Sequence, residues 1–301
     1  MAKAAQVQPT PGVKPGTYSD GHPLDTVHYL ESKLILKPDR FVAPPTFRDF
    51  GKLARKAAEK LDIGFSTAGF KDLRPRIREV VFLDTKDFSL YNNAFILRRR
   101  VAYEDGFPVG NPEIVFKFRH PDLQTAAEMD VRPNLLGEFL IKFKAEALPL
   151  KKKIGGCRLL YSHNVEFELL REMHSASMAE LAEFFPALSK LKKSSKKIAL
   201  VNHTIVEEVL QDLGVLDFGK GVTAKANASL WRERGDHKLL IGEFAFECKF
   251  KRRDDLRDKA LDKVRRFFIL LQDIASDWIS LGTTKTGIVY RLKGNPPQSH
   301  E

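Results

Sequence analysis

Apolar and polar positions alternate with a period of two through much of this chain. In HYLESKLILK (28–37), Tyr29, Glu31, Lys33, Ile35 and Lys37 share one face, opposite Leu30, Ser32, Leu34 and Leu36. REVVFLDT (78–85) reads as a further strand. In NNAFILRRRVAYEDG (92–106), Phe95, Leu97, Arg99 and Val101 oppose Ile96, Arg98, Arg100 and Ala102. EIVFKFR (113–119) sets Ile114, Phe116 and Phe118 against Glu113, Val115, Lys117 and Arg119. TAKANASLW (223–231) sets Lys225, Asn227 and Ser229 against alanines, and GEFAFECKFK (242–251) sets Glu243, Ala245 and Glu247 against Phe244, Phe246 and Cys248. AAEMDVR and RLLYSHNVEFELL (158–170) also read as strands. Successive side chains of a strand point to opposite sheet faces, so each segment predicts one apolar and one charged face.

Other stretches follow the helical period. TFRDFGKLARKAAEKLDI (46–63) predicts an amphipathic helix with Thr46 as N-cap, and TIVEEVLQDLGVL (204–216) predicts another. SMAELAEFFPALSKL (177–191) predicts a helix interrupted at Pro186, and residues 253–281 one or two long helices. FLIKFKAEAL (139–148) fits either period. Gly106, Pro108, Gly110 and Pro112 predict a loop.

The polar strand faces carry Lys, Arg, Glu and Asp rather than the Thr, Ser and Gln of an ordinary solvated sheet. A closed antiparallel barrel, polar inside and covered by helices outside, satisfies both faces. The expected fold is therefore α+β. Arg98, Arg100, Lys117, Arg119 and Lys225 would then converge on one lumen, where mutual repulsion calls for an anion.

Composition narrows the picture. Of 301 residues, 50 are Lys or Arg and 39 Asp or Glu, a net charge of +11 that points to an anionic partner. Phe is frequent (22) and Trp scarce (2), in keeping with packed sheet faces. Cys157 and Cys248 have neither metal-ligand nor redox spacing. Residues 1–25 read as a flexible tail without a signal-peptide core, and 294–301 as a second tail. No stretch reaches the ~20 apolar residues of a membrane span. The expectation is a cytoplasmic protein with one domain over 26–293. P-loop, dinucleotide-binding GxGxxG and GxSxG motifs are missing. Basic strand positions share faces with acids, which argues against a nucleic-acid-binding surface.

The order of motifs resembles the CYTH, or triphosphate tunnel metalloenzyme, superfamily. Tyr29-Leu-Glu31-Ser-Lys33 is similar to the family's ExExK strand, with Tyr29 in place of the first Glu. VFLDTKD, with Asp84 and Thr85, is similar to its YFDTxD strand, and LRRR (97–100) to its LRxR. IVFKFR supplies Lys117 and Arg119, and Glu128-Met-Asp130 fits its acidic ExE strand. The later strands 223–231 and 242–251 match more loosely, with Glu243 and Glu247 four residues apart, and residues 132–219 form an unaligned insert. Lys285, in GTTKTG, is similar to a family lysine near the C-terminus, although a loop lysine is more simply solvated.

The resemblance implies an antiparallel eight-stranded barrel. It also implies metal-dependent hydrolysis of a small triphosphate or of polyphosphate, with Mg²⁺ or Mn²⁺ as cofactor. Lys33, Arg98, Arg100, Lys117, Arg119 and Lys225 would bind the phosphates. Glu31, Glu128, Asp130, Glu243 and Glu247 would hold metal, with Glu31 and Glu128 also placed for catalysis. A non-catalytic binder of polyphosphate or a nucleotide is the alternative, and a nucleic-acid-binding module the third reading.

Overall fold

The computed structural model describes residues 16–70, 74–169, 173, 175–192, 196–250 and 258–293. Its strands are β1 (Tyr29–Leu36), β2 (Gly64–Ser66), β3 (Arg76–Thr85), β4 (Phe95–Glu104), β5 (Phe107–His120), β6 (Leu140–Pro149), β7 (Cys157–Glu168), β8 (Ile198–Leu200), β9 (Val206–Asp217), β10 (Thr223–Glu233) and β11 (Leu239–Lys249). Nine of them close a barrel in the order β9-β10-β11-β1-β6-β7-β5-β4-β3, with β3 pairing back onto β9; β2 and β8 extend its edges. The expected eight antiparallel strands become nine, one neighbour pair of which, β1 with β6, is parallel. An odd ring cannot alternate direction all the way round, so one parallel pairing is a geometric necessity.

The outer faces are apolar and covered. α1 (Pro44–Glu59) and α5 (Asp258–Ile274) lie over β9, β10, β11 and β1. α1 presents Phe47, Phe50, Ala54, Ala57 and Ala58 at helical spacing, and its alanines join one core with Ala224, Ala226 and Ala228 of β10. Across the barrel, α4 (Met178–Phe184) and the 3₁₀ turn Pro186–Leu191 cover Leu97, Phe116, Val165 and Phe167. The break at Pro186 falls where expected.

Several local expectations change. The first helix begins at Pro44, with prolines at its first two positions and Ala43 as N-cap; Thr46 lies inside it and donates to the Ala43 carbonyl at 2.6 Å. The loop expected at 106–112 is instead the start of β5, in a hairpin turning at Asp105–Gly106, both at positive φ. The helix expected at 204–216 is instead β9 from Val206 onward. Their apolar residues fall at spacings of three and four because a β-bulge after Asp212 breaks the strand alternation. Gly214 permits that bulge: at φ 154 a Cβ there would meet the Ser66 carbonyl at 2.5 Å. AAEMDVR contains no strand, since α3 (Leu123–Glu128) ends there, capped by Asp122. The long C-terminal helix is described from Asp258; 251–257 lie outside the described residues, as do 1–15 and 294–301 of the two expected tails. Within the expected tail, Tyr18 is buried and donates to Asp25 at 2.9 Å, and Asp25 bonds His163 at 2.7 Å. No helix among the described residues is long and apolar enough to cross a membrane.

Candidate functional site: a charged barrel lumen

The inward-facing positions of the barrel surround a cavity of roughly 370 Å³. One end meets an apolar floor. Ile35, Val80, Phe82 and Trp231 from the strands pack there with Val289 and Tyr290 of α6 (Lys285–Tyr290) and Tyr91 of α2 (Ser89–Asn92). Asp84 fixes that floor. Its buried carboxylate accepts the backbone N–H groups of Thr85, Leu90 and Tyr91 and the Tyr290 hydroxyl. Burial nevertheless pushes Asp84 up to about 6.

Above the floor the wall is largely charged. Nine Lys or Arg and six Glu side chains line the cavity, an excess of three positive charges when all are ionised. Glu31, Lys33, Arg98, Arg100, Lys117, Arg119 and Glu243 are all there, as the alternation predicts. Glu247 stands beside the wall, ion-paired with Lys144. Lys225 stays more than half exposed near the start of β10, paired with Asp212 at 2.8 Å, and does not line the cavity. Glu128 and Asp130 are not brought to the lumen. Glu128 ends α3 and accepts from Gln124, and Asp130 is taken up by Arg132. The helix at 123–128 removed the alternation that would have turned them inward.

Further lumenal charge comes from β6. Lys142, Lys144 and Glu146 face the lumen at alternate positions, and that i, i+2, i+4 spacing in KFKAE was readable in the sequence. Arg78 of β3, Glu166 of β7 and Lys285 also line the cavity. Glu208 does too, but reading β9 as a helix concealed it.

The charges are ordered in rows. Register sets Glu247, Glu31 and Glu146 side by side across β11, β1 and β6, and the next row reads Lys249, Tyr29 and Lys144. Carboxylates on neighbouring strands repel, and ammonium groups inserted between them offset this. Lys33 lies 2.9 Å from Glu31 and 3.1 Å from Glu146. Lys144 pairs with Glu31 and Glu247. Lys285 pairs with Glu208 at 3.0 Å and Glu243 at 2.8 Å, and donates to Ser229. Glu146, buried, also accepts from Lys117 at 2.8 Å and Ser162 at 2.6 Å, with Arg119 at 3.6 Å. Burial opposes its charge, but the surrounding cations Lys117, Lys33 and Arg119 hold it well below the ordinary range. Glu31 is held at about 2, chiefly by Lys144 and Lys33 against the cost of burial, which makes it a weak base at neutral pH. Lys117 shares its single carboxylate with other cations; burial, with Arg119 and Lys33 beside it, pushes its ammonium down to about 7 against the pull of Glu146.

The arginine side differs. Arg100 pairs with Glu113, and Arg78 with Glu208. Arg98 has no ion pair among the described residues, and its buried Nε has no hydrogen-bond partner. Burial and Arg100 lower Arg98 to about 10, so it remains charged at neutral pH.

These residues do not fit a divalent ion held by carboxylates. Among the described residues no three His, Cys, Asp or Glu side chains are grouped to hold one, and the lumenal carboxylates are already engaged by Lys or Arg.

No protein-family model matches the sequence, and no curated protein does. Two solved structures cover nearly the whole chain at low identity. One is HpAC1 from Hippeastrum, described as having a dominant triphosphatase activity: 13% identity, 91% of this chain and 100% of that chain, TM-score 0.40. The other is PH1819 from Pyrococcus horikoshii OT3: 12% identity, 87% and 99% coverage, TM-score 0.37. The barrel itself stands on its strand pairings.

Proposed function

We propose that the lumen binds a short chain of phosphates, as inorganic triphosphate, the triphosphate end of a nucleotide, or polyphosphate. The observation that carries this reading is Arg98: a half-buried arginine on the cavity wall with its Nε buried and unpaired, next to Arg100 and without a carboxylate partner among the described residues. A buried charge left unpaired is costly, and an anion in the cavity offsets that cost. Guanidinium groups bind phosphate oxygens bidentately and keep their charge. The basic groups face a lumen of roughly 370 Å³, too small for a duplex, which disfavours the nucleic-acid reading.

Calorimetric titration of inorganic triphosphate tests this. Arg98→Ala should weaken binding about 30- to 150-fold, or about 2–3 kcal/mol, the range for charge-assisted hydrogen bonds. Unchanged affinity in Arg98→Ala sinks the proposal.

Turnover is a second reading, favoured by Lys117. An ammonium near pH 7, beside Arg119 and Lys33, can deliver a proton to a departing phosphate oxygen. Phosphate release from triphosphate should then fall as pH rises through about 7 and be abolished in Lys117→Met. Release that persists in Lys117→Met excludes this role.

A further inference from the structure

Three lumenal lysines share one geometry. Lys33 bridges Glu31 and Glu146, Lys144 bridges Glu31 and Glu247, and Lys285 bridges Glu208 and Glu243. Each joins carboxylates from two strands, the place a divalent cation takes between acidic side chains. The sequence reinforces the pattern at Tyr29. Where the resembled family carries a glutamate, the Tyr29 ring has Lys144 Nζ at 5.4 Å and Lys249 Nζ at 5.8 Å from its centroid. An aromatic face there attracts cationic side chains and offers a metal no oxygen of the carboxylate kind.

The lysines are not equivalent. An ammonium has three donors. Lys285 directs its ammonium to Glu208, Glu243 and Ser229 and lies over the Trp231 ring at 4.7 Å, so it is used up in the floor. Lys33 and Lys144 each bridge two carboxylates and keep a donor for a ligand in the cavity.

We propose that Lys33 and Lys144 together satisfy Glu31, Glu146 and Glu247 and leave no carboxylate there for a divalent cation, so that the lumen binds its phosphate chain directly, without a metal ion. Each ammonium neutralises two glutamates and turns its remaining N–H toward a phosphate oxygen, while Arg98 and Arg100 hold the chain from the opposite wall. This rests on the phosphate-binding reading above.

The test uses the full chain and inorganic triphosphate, titrated in buffer stripped of divalent ions and again with excess MgCl₂ or MnCl₂. The expected result is binding in stripped buffer that added metal leaves unchanged or weakens, because the metal sequesters free triphosphate. Binding at least tenfold tighter with metal overturns the inference and leaves the phosphate-binding reading standing. No binding in either buffer overturns both. Lys33→Met supplies the second arm by leaving Glu31 and Glu146 without their shared bridge. Mn²⁺ should then raise the variant's melting temperature by several degrees and not that of the unsubstituted protein. Equal Mn²⁺ effects on both overturn the inference. Should Lys33→Met fail to fold, Lys144→Met, nearer the mouth, carries the same comparison.

Discussion

The two walls of the lumen solve the same electrostatic problem differently. On the β1, β6 and β11 side every carboxylate row is interleaved with ammonium groups, and Glu146 alone gathers Lys33, Lys117 and Arg119. On the β4 side Arg100 has Glu113, but Arg98 has no such partner. Paired charges in a buried wall hold its shape, whereas an unpaired one is a vacancy for a ligand's charge. The difference teaches that lumenal cations are not interchangeable: those of the first wall are tied to carboxylates, whereas Arg98 on the second is not.

The largest expected effect separates the walls by stability. Glu146→Ala removes the carboxylate that Lys117, Lys33 and Arg119 share and should cost about 3–5 kcal/mol, as breaking a buried ion pair does. Arg98→Ala removes a charge that already lacks a partner, so its melting temperature should match or exceed that of the unsubstituted protein. Denaturant unfolding of both variants checks this; equal losses would erase the distinction.

Acid should act on the paired wall next. Glu31, Glu146 and Glu208 titrate below the ordinary glutamate value of 4.5 in the folded protein. The unfolded chain therefore binds more protons between 4.5 and the lower folded values. Stability is present above 4.5 and lost as pH falls toward 2, by an amount on the order of a few kcal/mol. Melting curves over that range should show the slope, and Glu146→Gln should flatten it.

The smallest effect concerns Arg99, which sits between Arg98 and Arg100 but faces outward to Glu79 at 3.6 Å. Arg99→Ala should leave triphosphate binding untouched. A loss of binding equal to that of Arg98→Ala would mean the strand's inner and outer faces have been assigned the wrong way round.

Much of this was readable residue by residue. Period-two alternation turned Glu31, Lys33, Arg98, Arg100, Lys117, Arg119 and Glu243 to one side of their strands, and all line the cavity. Where a single feature broke the period, the reading broke with it. The bulge near Gly214 made β9 look helical and concealed Glu208, and the cap at Asp122 made a helix where an acidic strand was expected, so Glu128 and Asp130 fell outside the lumen. Lys285, singled out by GTTKTG but read more simply as a solvated loop lysine, sits on a short helix that brings it to the lumen.

The sequence by itself determined which side chains share a face, because alternation follows from strand geometry alone. It also determined that these faces carry more positive than negative charge. Only the tertiary structure decided which faces meet across the cavity, that nine strands close with one parallel pair, and which glutamate each lysine bridges. Those outcomes depend on register between strands far apart in the chain, where a shift of one residue reverses every side chain.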